Sequence, residues 1–94
     1  MGDAGPTVSA QLTLLNAQGL HARAAATFVR ALRGLSADVQ VSWEGRVVNG
    51  RSVLDLMTLG APWGSVLEIV VCGVDAVAAL AALTKVIQDR FYEE

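Results

Sequence analysis

The sequence predicts an α+β domain in which a four-stranded antiparallel sheet carries three helices on one of its faces. Two patterns predict this fold: four short segments have the character of strands, two of them with strict alternation of apolar and polar residues, and three segments repeat apolar residues at helical spacing, in the order βαββαβα. A chain of 94 residues is long enough for one core but too short for two. We therefore expect a single domain over residues 1–94, with residues 1–6 forming a flexible tail.

Four segments are predicted to be strands, and two of them have the strict alternation of apolar and polar residues that is typical of half-buried strands. The first covers residues 7–14 and the second covers residues 37–43. Glu44 and Gly45 then favour a tight turn into residues 46–49, so these two segments predict a hairpin. The fourth strand is expected over about residues 65–72. Because the alternation places polar residues on one face, we expect that face of the sheet to be solvated.

Three segments have the spacing of amphipathic helices. The first covers residues 21–34 and ends at a glycine, which favours a helix stop. The second covers residues 52–60, where Ser52 and Asp55 have the spacing of a capping box, with Asp in place of the usual Glu. The third is expected from near residue 75 to about residue 91. The side chains predicted to face the core are Ala25, Phe28, Val29 and Leu32 in the first helix and Leu80, Leu83, Val86 and Ile87 in the third.

The charges are unevenly distributed along the chain. Residues 21–51 contain five arginines against two acidic residues, whereas residues 52–94 contain two basic and six acidic residues. One flank is therefore expected to attract acidic partners. The net charge of −2 provides no general attraction to nucleic acid or to an anionic membrane.

The sequence also limits location and covalent chemistry. Its N-terminus lacks the basic and apolar regions of a signal peptide, and no apolar run is long enough for a membrane span, so we expect a cytoplasmic protein. Cys72 is the only cysteine, which excludes an intrachain disulfide. Its apolar surroundings predict a buried, reduced thiol.

His21 is the only histidine and is predicted at or beside the N-cap of the first helix. The free backbone N–H groups of Ala22, Arg23 and Ala24, together with the helix dipole, would form an anion site and favour a neutral, nucleophilic ring. The Arg23 guanidinium could bind a phosphoryl group attached to that ring. Spacing alone leaves open that His21 is merely a capping or exposed residue. A single histidine without clustered ligands predicts no metal site, and we expect no cofactor.

The segments "GLHARAAATFVRALRG" and "NGRSVLDLMTLGA", followed by "GS" before a strand, resemble HPr, the histidine phosphocarrier of the bacterial phosphoenolpyruvate-dependent phosphotransferase system. The resemblance extends from Thr7 to about Phe91. It implies an open-faced β-sandwich with strand order 1-4-2-3. It also implies that enzyme I phosphorylates His21 on Nδ1, that Arg23 contacts the phosphate, and that the group then passes to enzyme IIA during sugar uptake.

Two positions qualify this resemblance. The family usually has proline where this chain has Ala24, and alanine should be tolerated there at a modest entropic cost while its N–H becomes free to reach the phosphate. Ser52 corresponds to a serine that HPr kinase/phosphorylase modifies in many Gram-positive relatives. Ser52 is equally explained as an ordinary N-cap residue.

The second helix contains more apolar side chains than one face of two turns accommodates. We expect Val53, Leu56 and Leu59 to pack in the core, and Leu54 and Met57 to face solvent beside the His21 loop. With Arg23, Arg30 and Arg51 nearby, the exposed pair predicts a small docking surface for acidic partners.

The resulting functional prediction is a monomeric phosphocarrier with a covalent phosphohistidine rather than a stand-alone enzyme. The alternative is an HPr-like regulatory docking domain, including a carrier of a nitrogen-related branch, that is not dedicated to sugar transport. A ligand-binding module with the same element order would require a pocket, which these small side chains do not indicate.

Overall fold

The computed structural model describes residues 5–93, so residues 1–4 of the predicted tail lie outside the described part. The elements follow the predicted order, with one short turn added at the end. The strands are β1 (Thr7–Thr13), β2 (Asp38–Trp43), β3 (Arg46–Asn49) and β4 (Val66–Cys72). The helices are α1 (Ala22–Ala31), α2 (Val53–Leu59) and α3 (Ala76–Gln88), and a final 3₁₀ turn covers Arg90–Tyr92.

The four strands form one antiparallel sheet in the order β1-β4-β2-β3, which confirms the order 1-4-2-3. In this register Val41 of β2 lies opposite Ile69 of β4, and both side chains are buried. Residues that alternate with them, such as Gln40 and Glu68, are exposed. One face of the sheet therefore meets the core and the other meets solvent, as the alternation predicts.

All three helices contribute side chains to the same core as the inward face of the sheet. Leu56 and Leu59 of α2 are buried as predicted, and Val53 is half-buried. Burial of each large apolar side chain contributes about 1.5–3 kcal/mol relative to exposure. The largest fully buried side chains are Phe28, Leu14, Leu32, Leu56, Leu59, Leu67, Ile69, Leu83, Ile87, Val41, Val71 and Asn16.

Helix α1 ends three residues earlier than the glycine that the sequence suggested as its stop. Its last α-helical residue is Ala31, and the chain then tightens, with the Arg33 N–H bonded to the Arg30 carbonyl at 3.1 Å. Gly34 follows with φ of +81°, a conformation that glycine adopts without steric cost. The glycine therefore completes the turn that leaves the helix.

Helix α2 is capped by a serine side chain at its start and by a glycine at its end. Ser52 Oγ accepts a hydrogen bond from the Asp55 N–H at 3.1 Å, which confirms the predicted N-cap. The reciprocal half of the capping box was wrongly predicted, because the Asp55 carboxylate accepts from the Asn49 N–H at 3.4 Å instead. Aspartate is one methylene shorter than glutamate, and here its carboxylate meets the last residue of β3. Gly60 ends the helix with φ of +67°.

Arg46 of β3 also stabilises the C-terminal end of α2. Its guanidinium donates to the carbonyl oxygens of Thr58 at 2.5 Å and Leu59 at 3.2 Å. A cation at this end complements the negative end of the helix dipole. This contact and the Ser52 cap hold the short helix at both ends.

Helix α3 ends at Gln88, whereas the sequence predicts that it ends near Phe91. The next residues turn sharply, because Arg90, Phe91 and Tyr92 have φ values of +57°, +53° and +62°. Left-handed backbone costs about 1–2 kcal/mol per residue outside glycine, so this turn requires compensating contacts. The Phe91 side chain supplies one of them by packing in the core. The turn returns the chain towards the start of α1.

Two further expectations concern Cys72 and the membrane. The Cys72 side chain is half-buried rather than buried, because it is at the end of β4, where it lines an open surface depression. Within residues 5–93, none of the helices has the length and apolar character needed to cross a bilayer.

Candidate functional site

The loop between β1 and α1 determines where His21 lies. Gly19 has φ of +65°, and its N–H donates to the Asn16 carbonyl at 3.1 Å. The next residue, Leu20, is buried and donates its N–H to the Ala61 carbonyl at 2.9 Å. The loop is thus fixed against residues 61–62 immediately before His21.

His21 is the N-cap residue of α1, as predicted. Its backbone carbonyl accepts the first helical hydrogen bond, from the Ala25 N–H at 2.8 Å. Its Nδ1 accepts from the Arg23 backbone N–H at 3.3 Å. An imidazole nitrogen with its lone pair therefore lies at the positive end of the helix dipole.

The other ring nitrogen of His21 contacts a carboxylate. Nε2 lies 2.7 Å from Oε2 of Glu93, and the His21 side chain is 21% exposed. The second oxygen of Glu93 accepts a hydrogen bond from Asn16 Nδ2 at 3.1 Å. Asn16 is fully buried and also donates to the Gly19 carbonyl at 2.6 Å. Asn16, His21 and Glu93 therefore form one hydrogen-bonded group.

Sequence reasoning missed both Asn16 and Glu93. Glu93 lies 72 residues after His21, and no periodic pattern relates two positions so far apart. The left-handed turn at Arg90–Tyr92, which brings Glu93 back, has no glycine to indicate it. Asn16 carried a weak signal, because an asparagine three residues before a glycine is a common turn composition.

The predicted phosphate-binding groups differ in accessibility. Ala22 and Arg23 are exposed at the start of α1. Arg23 also lines an open hollow of about 300 Å³ together with Ala17, Gln18, Tyr92 and Glu93. The first turn of α1 therefore presents exposed residues, one of them cationic, next to His21.

The burial of Ala24 contradicts one expectation, namely that its N–H is exposed to a phosphate on His21. The residue is completely buried, because it belongs to the hydrophobic core. Its N–H is therefore not at the surface, contrary to the expectation. Ala22 and Arg23 are exposed, and their N–H groups stay the predicted backbone donors to the phosphate.

The predicted docking residues lie on α2 and its surroundings. The side chains of Leu54 and Met57 are exposed, at 69% and 41% of their area. Arg30 is exposed on the last turn of α1. The Arg51 guanidinium donates to the carbonyl oxygens of Ala37 at 3.0 Å and Leu32 at 3.2 Å, which holds its charge against the end of α1.

The comparisons with known proteins agree with one another. The family model described as "PTS HPr component phosphorylation site" matches residues 8–89. The phosphocarrier protein HPr of Treponema pallidum is 40% identical over 81 residues, which cover 86% of this chain and 92% of that protein. This chain belongs to the HPr family. The phosphocarrier protein HPr of Xylella fastidiosa is 36% identical over 84 residues, which cover 89% of this chain and 94% of that protein.

Solved structures of HPr proteins have the same fold. HPr-C-His from Thermoanaerobacter tengcongensis has a TM-score of 0.87 and 33% identity, covering 93% of this chain and 98% of that chain. A structure described as an HPr dimer from the same organism has a TM-score of 0.72 and 36% identity, covering 80% and 86% of the two chains. The resemblance found in the sequence and the open-faced α+β fold that it implied are both confirmed.

Proposed function

We propose that this HPr-family chain is a phosphocarrier of the phosphotransferase system, which accepts a phosphoryl group from enzyme I on Nδ1 of His21 and transfers it to enzyme IIA. The observation that carries the proposal is the hydrogen bond from the Arg23 N–H to Nδ1 at 3.3 Å. An accepting nitrogen has an available lone pair, and this one lies where a helix start favours added negative charge.

The transfer needs only a nucleophile and charge stabilisation. The Nδ1 lone pair forms a bond to phosphorus, and the bond from phosphorus to the donor breaks, with its electron pair remaining on the donor. As the N–P bond forms, the Arg23 N–H loses its acceptor on Nδ1 and becomes available to a phosphoryl oxygen. The exposed Arg23 guanidinium provides a second, cationic contact. Transfer onward to the acceptor reverses these steps.

The test is a phosphorylation assay with phosphoenolpyruvate, magnesium and a cognate enzyme I, followed by measurement of the intact mass. We expect one added phosphoryl group on the wild type, lost in acid, and none on His21→Ala. An unmodified wild type would contradict the carrier function and would favour a docking domain. Modification of His21→Ala would contradict the assignment of the site.

Partner docking is proposed through the exposed Leu54 and Met57 side chains of α2, with Arg23, Arg30 and Arg51 supplying positive charge. A surface that combines an exposed apolar pair with cationic side chains suits short-lived binding of acidic proteins. Such a surface is small, which allows the fast release that a carrier requires.

Regulation at Ser52 is a separate proposal. Its hydroxyl oxygen caps α2 through the Asp55 N–H, and a phosphate placed there would meet the helix dipole as well as the Asp55 carboxylate. HPr kinase/phosphorylase would be the modifying partner. Three further points stay predictions. They are that the carrier is cytoplasmic, that it is monomeric, and that it serves sugar uptake rather than a nitrogen-related branch.

A further inference from the structure

We propose that Glu93 is a positioning residue for phosphoryl transfer: its carboxylate holds the proton of His21 on Nε2 and so keeps the lone pair of the ring on Nδ1. This inference rests on the proposed function, because it assigns a role in the transfer to a residue far from the His21 motif. It also makes a statement about the resting protein that can be measured without any transfer.

The contacts of the two ring nitrogens select one tautomer. A neutral imidazole has one N–H and one lone pair, whereas a carboxylate only accepts and a backbone N–H only donates. Glu93 Oε2 lies 2.7 Å from Nε2, and the Arg23 N–H lies 3.3 Å from Nδ1. Both contacts are hydrogen bonds only when the proton is on Nε2. The lone pair then lies on Nδ1, at the helix start.

The carboxylate of Glu93 is itself held in place. Its Oε1 accepts from Asn16 Nδ2 at 3.1 Å, and Asn16 is fixed in turn by burial and by its bond to the Gly19 carbonyl. The preceding Phe91 is buried although it has a left-handed backbone. A strained segment persists only where its surroundings fix it, and here the fixed conformation brings the Glu93 carboxylate to the ring.

The same contact favours the charge that forms during transfer. When Nδ1 bonds to phosphorus, the Nε2 proton stays on the ring and the ring becomes cationic. A carboxylate 2.7 Å from Nε2 stabilises that cation more than it stabilises the neutral ring. In enzymes with a Ser-His-Asp triad, a carboxylate likewise orients an imidazole and stabilises the positive charge that develops on it. Glu93 therefore lowers the barrier to phosphorylation as well as selecting the nitrogen.

The tautomer is tested by ¹⁵N NMR of the labelled protein, in which the single histidine removes any ambiguity of assignment. We expect a protonated Nε2 and an unprotonated Nδ1 in the wild type and in Glu93→Gln, whose amide oxygen still accepts a hydrogen bond. In Glu93→Ala the two signals should move towards those of a tautomer mixture. A proton on Nδ1 in the wild type, or unchanged signals in Glu93→Ala, would overturn the proposal.

The transfer is tested by the rate of phosphorylation from phosphorylated enzyme I. We expect Glu93→Ala and Glu93→Gln to react about tenfold more slowly, because a hydrogen bond to a partly exposed charge is lost or neutralised. Glu68→Gln makes the same chemical change on the solvent face of the sheet and should react at the wild-type rate. A wild-type rate in either Glu93 variant would overturn the proposal.

Two controls separate the possible failures. Thermal unfolding of each variant identifies any loss of fold, and Glu93→Gln decides the test if Glu93→Ala does not fold. A wild type that takes no phosphate from enzyme I would refute the proposed function. The NMR measurement would still decide whether Glu93 sets the tautomer of His21.

Discussion

Gly19 lies so close to Ala61 that any side chain on residue 19 would collide with the Ala61 carbonyl oxygen. The contact joins the loop before His21 to the loop after α2, and it continues in the hydrogen bond from the Leu20 N–H to the same oxygen at 2.9 Å. Glycine is required here for two reasons, because its φ is also +65°. The position of His21 therefore depends on the absence of a side chain two residues earlier.

The first prediction is that Gly19→Ala destabilises the domain by at least about 2 kcal/mol, since the strained φ and the collision with backbone add. Gly34→Ala is the matched control, because Gly34 also has a positive φ of +81° but open space where a Cβ would lie. That variant should lose only about 1 kcal/mol. Urea unfolding measures both values. Equal losses would contradict the role of the Ala61 contact.

The second prediction concerns Ala24. The first N–H that makes a hydrogen bond within α1 belongs to the next residue, Ala25. A proline in place of Ala24 therefore removes no helical hydrogen bond. We expect Ala24→Pro to raise the free energy of unfolding by about 0.5 kcal/mol, because the unfolded chain loses freedom. Calorimetry should record a melting temperature higher by roughly 2–4 °C. A lower value would mean that the buried site does not accommodate the ring.

The third prediction is that Leu54→Asp slows phosphorylation by enzyme I about tenfold, because a charge replaces an exposed apolar contact. Its stability should change by no more than about 0.5 kcal/mol, since the side chain is 69% exposed. Val77→Asp is the control on α3, where the native side chain is 63% exposed. A steady-state phosphotransfer assay distinguishes the two variants. Equal rates for wild type and Leu54→Asp would contradict docking through α2.

The fourth prediction separates the two roles of Ser52. Ser52→Ala removes the acceptor of the Asp55 N–H and should cost about 1 kcal/mol, whereas Ser52→Asp keeps an N-cap acceptor and should remain within about 0.5 kcal/mol of the wild type. If a charge at this position impedes docking, Ser52→Asp should be slower in phosphotransfer than Ser52→Ala. The reverse order of rates would contradict regulation through Ser52.

Much of the site follows from local sequence. Gly19, His21 and the alanine-rich segment after them predict a turn followed by a helix start, and the structure confirms His21 as the N-cap. The number of apolar residues in α2 also indicates that some are exposed, and Leu54 and Met57 are the exposed ones. These predictions succeed because capping and amphipathic spacing depend on residues within one or two turns.

The accessibility of Ala24 and the end of α3 could not be predicted in the same way. Ala24 is buried because the helix start packs onto the core, which no pattern in the first turn reveals. Helix α3 stops at Gln88 although its sequence continues without glycine or proline. Tertiary contacts of Phe91 and Glu93 compensate the cost of the left-handed turn that follows, so local propensity is overridden there.

The sequence by itself determined the order of the elements, the inward face of each strand and helix, the N-caps of α1 and α2, and the histidine on which the proposed function depends. These properties arise from short-range periodicity and from the chemistry of neighbouring residues. The tertiary structure alone decided which carboxylate contacts that histidine. Asn16 and Glu93 meet across 77 residues, and Glu93 also contacts the His21 ring, because folding brings the turn after α3 back to the loop between β1 and α1.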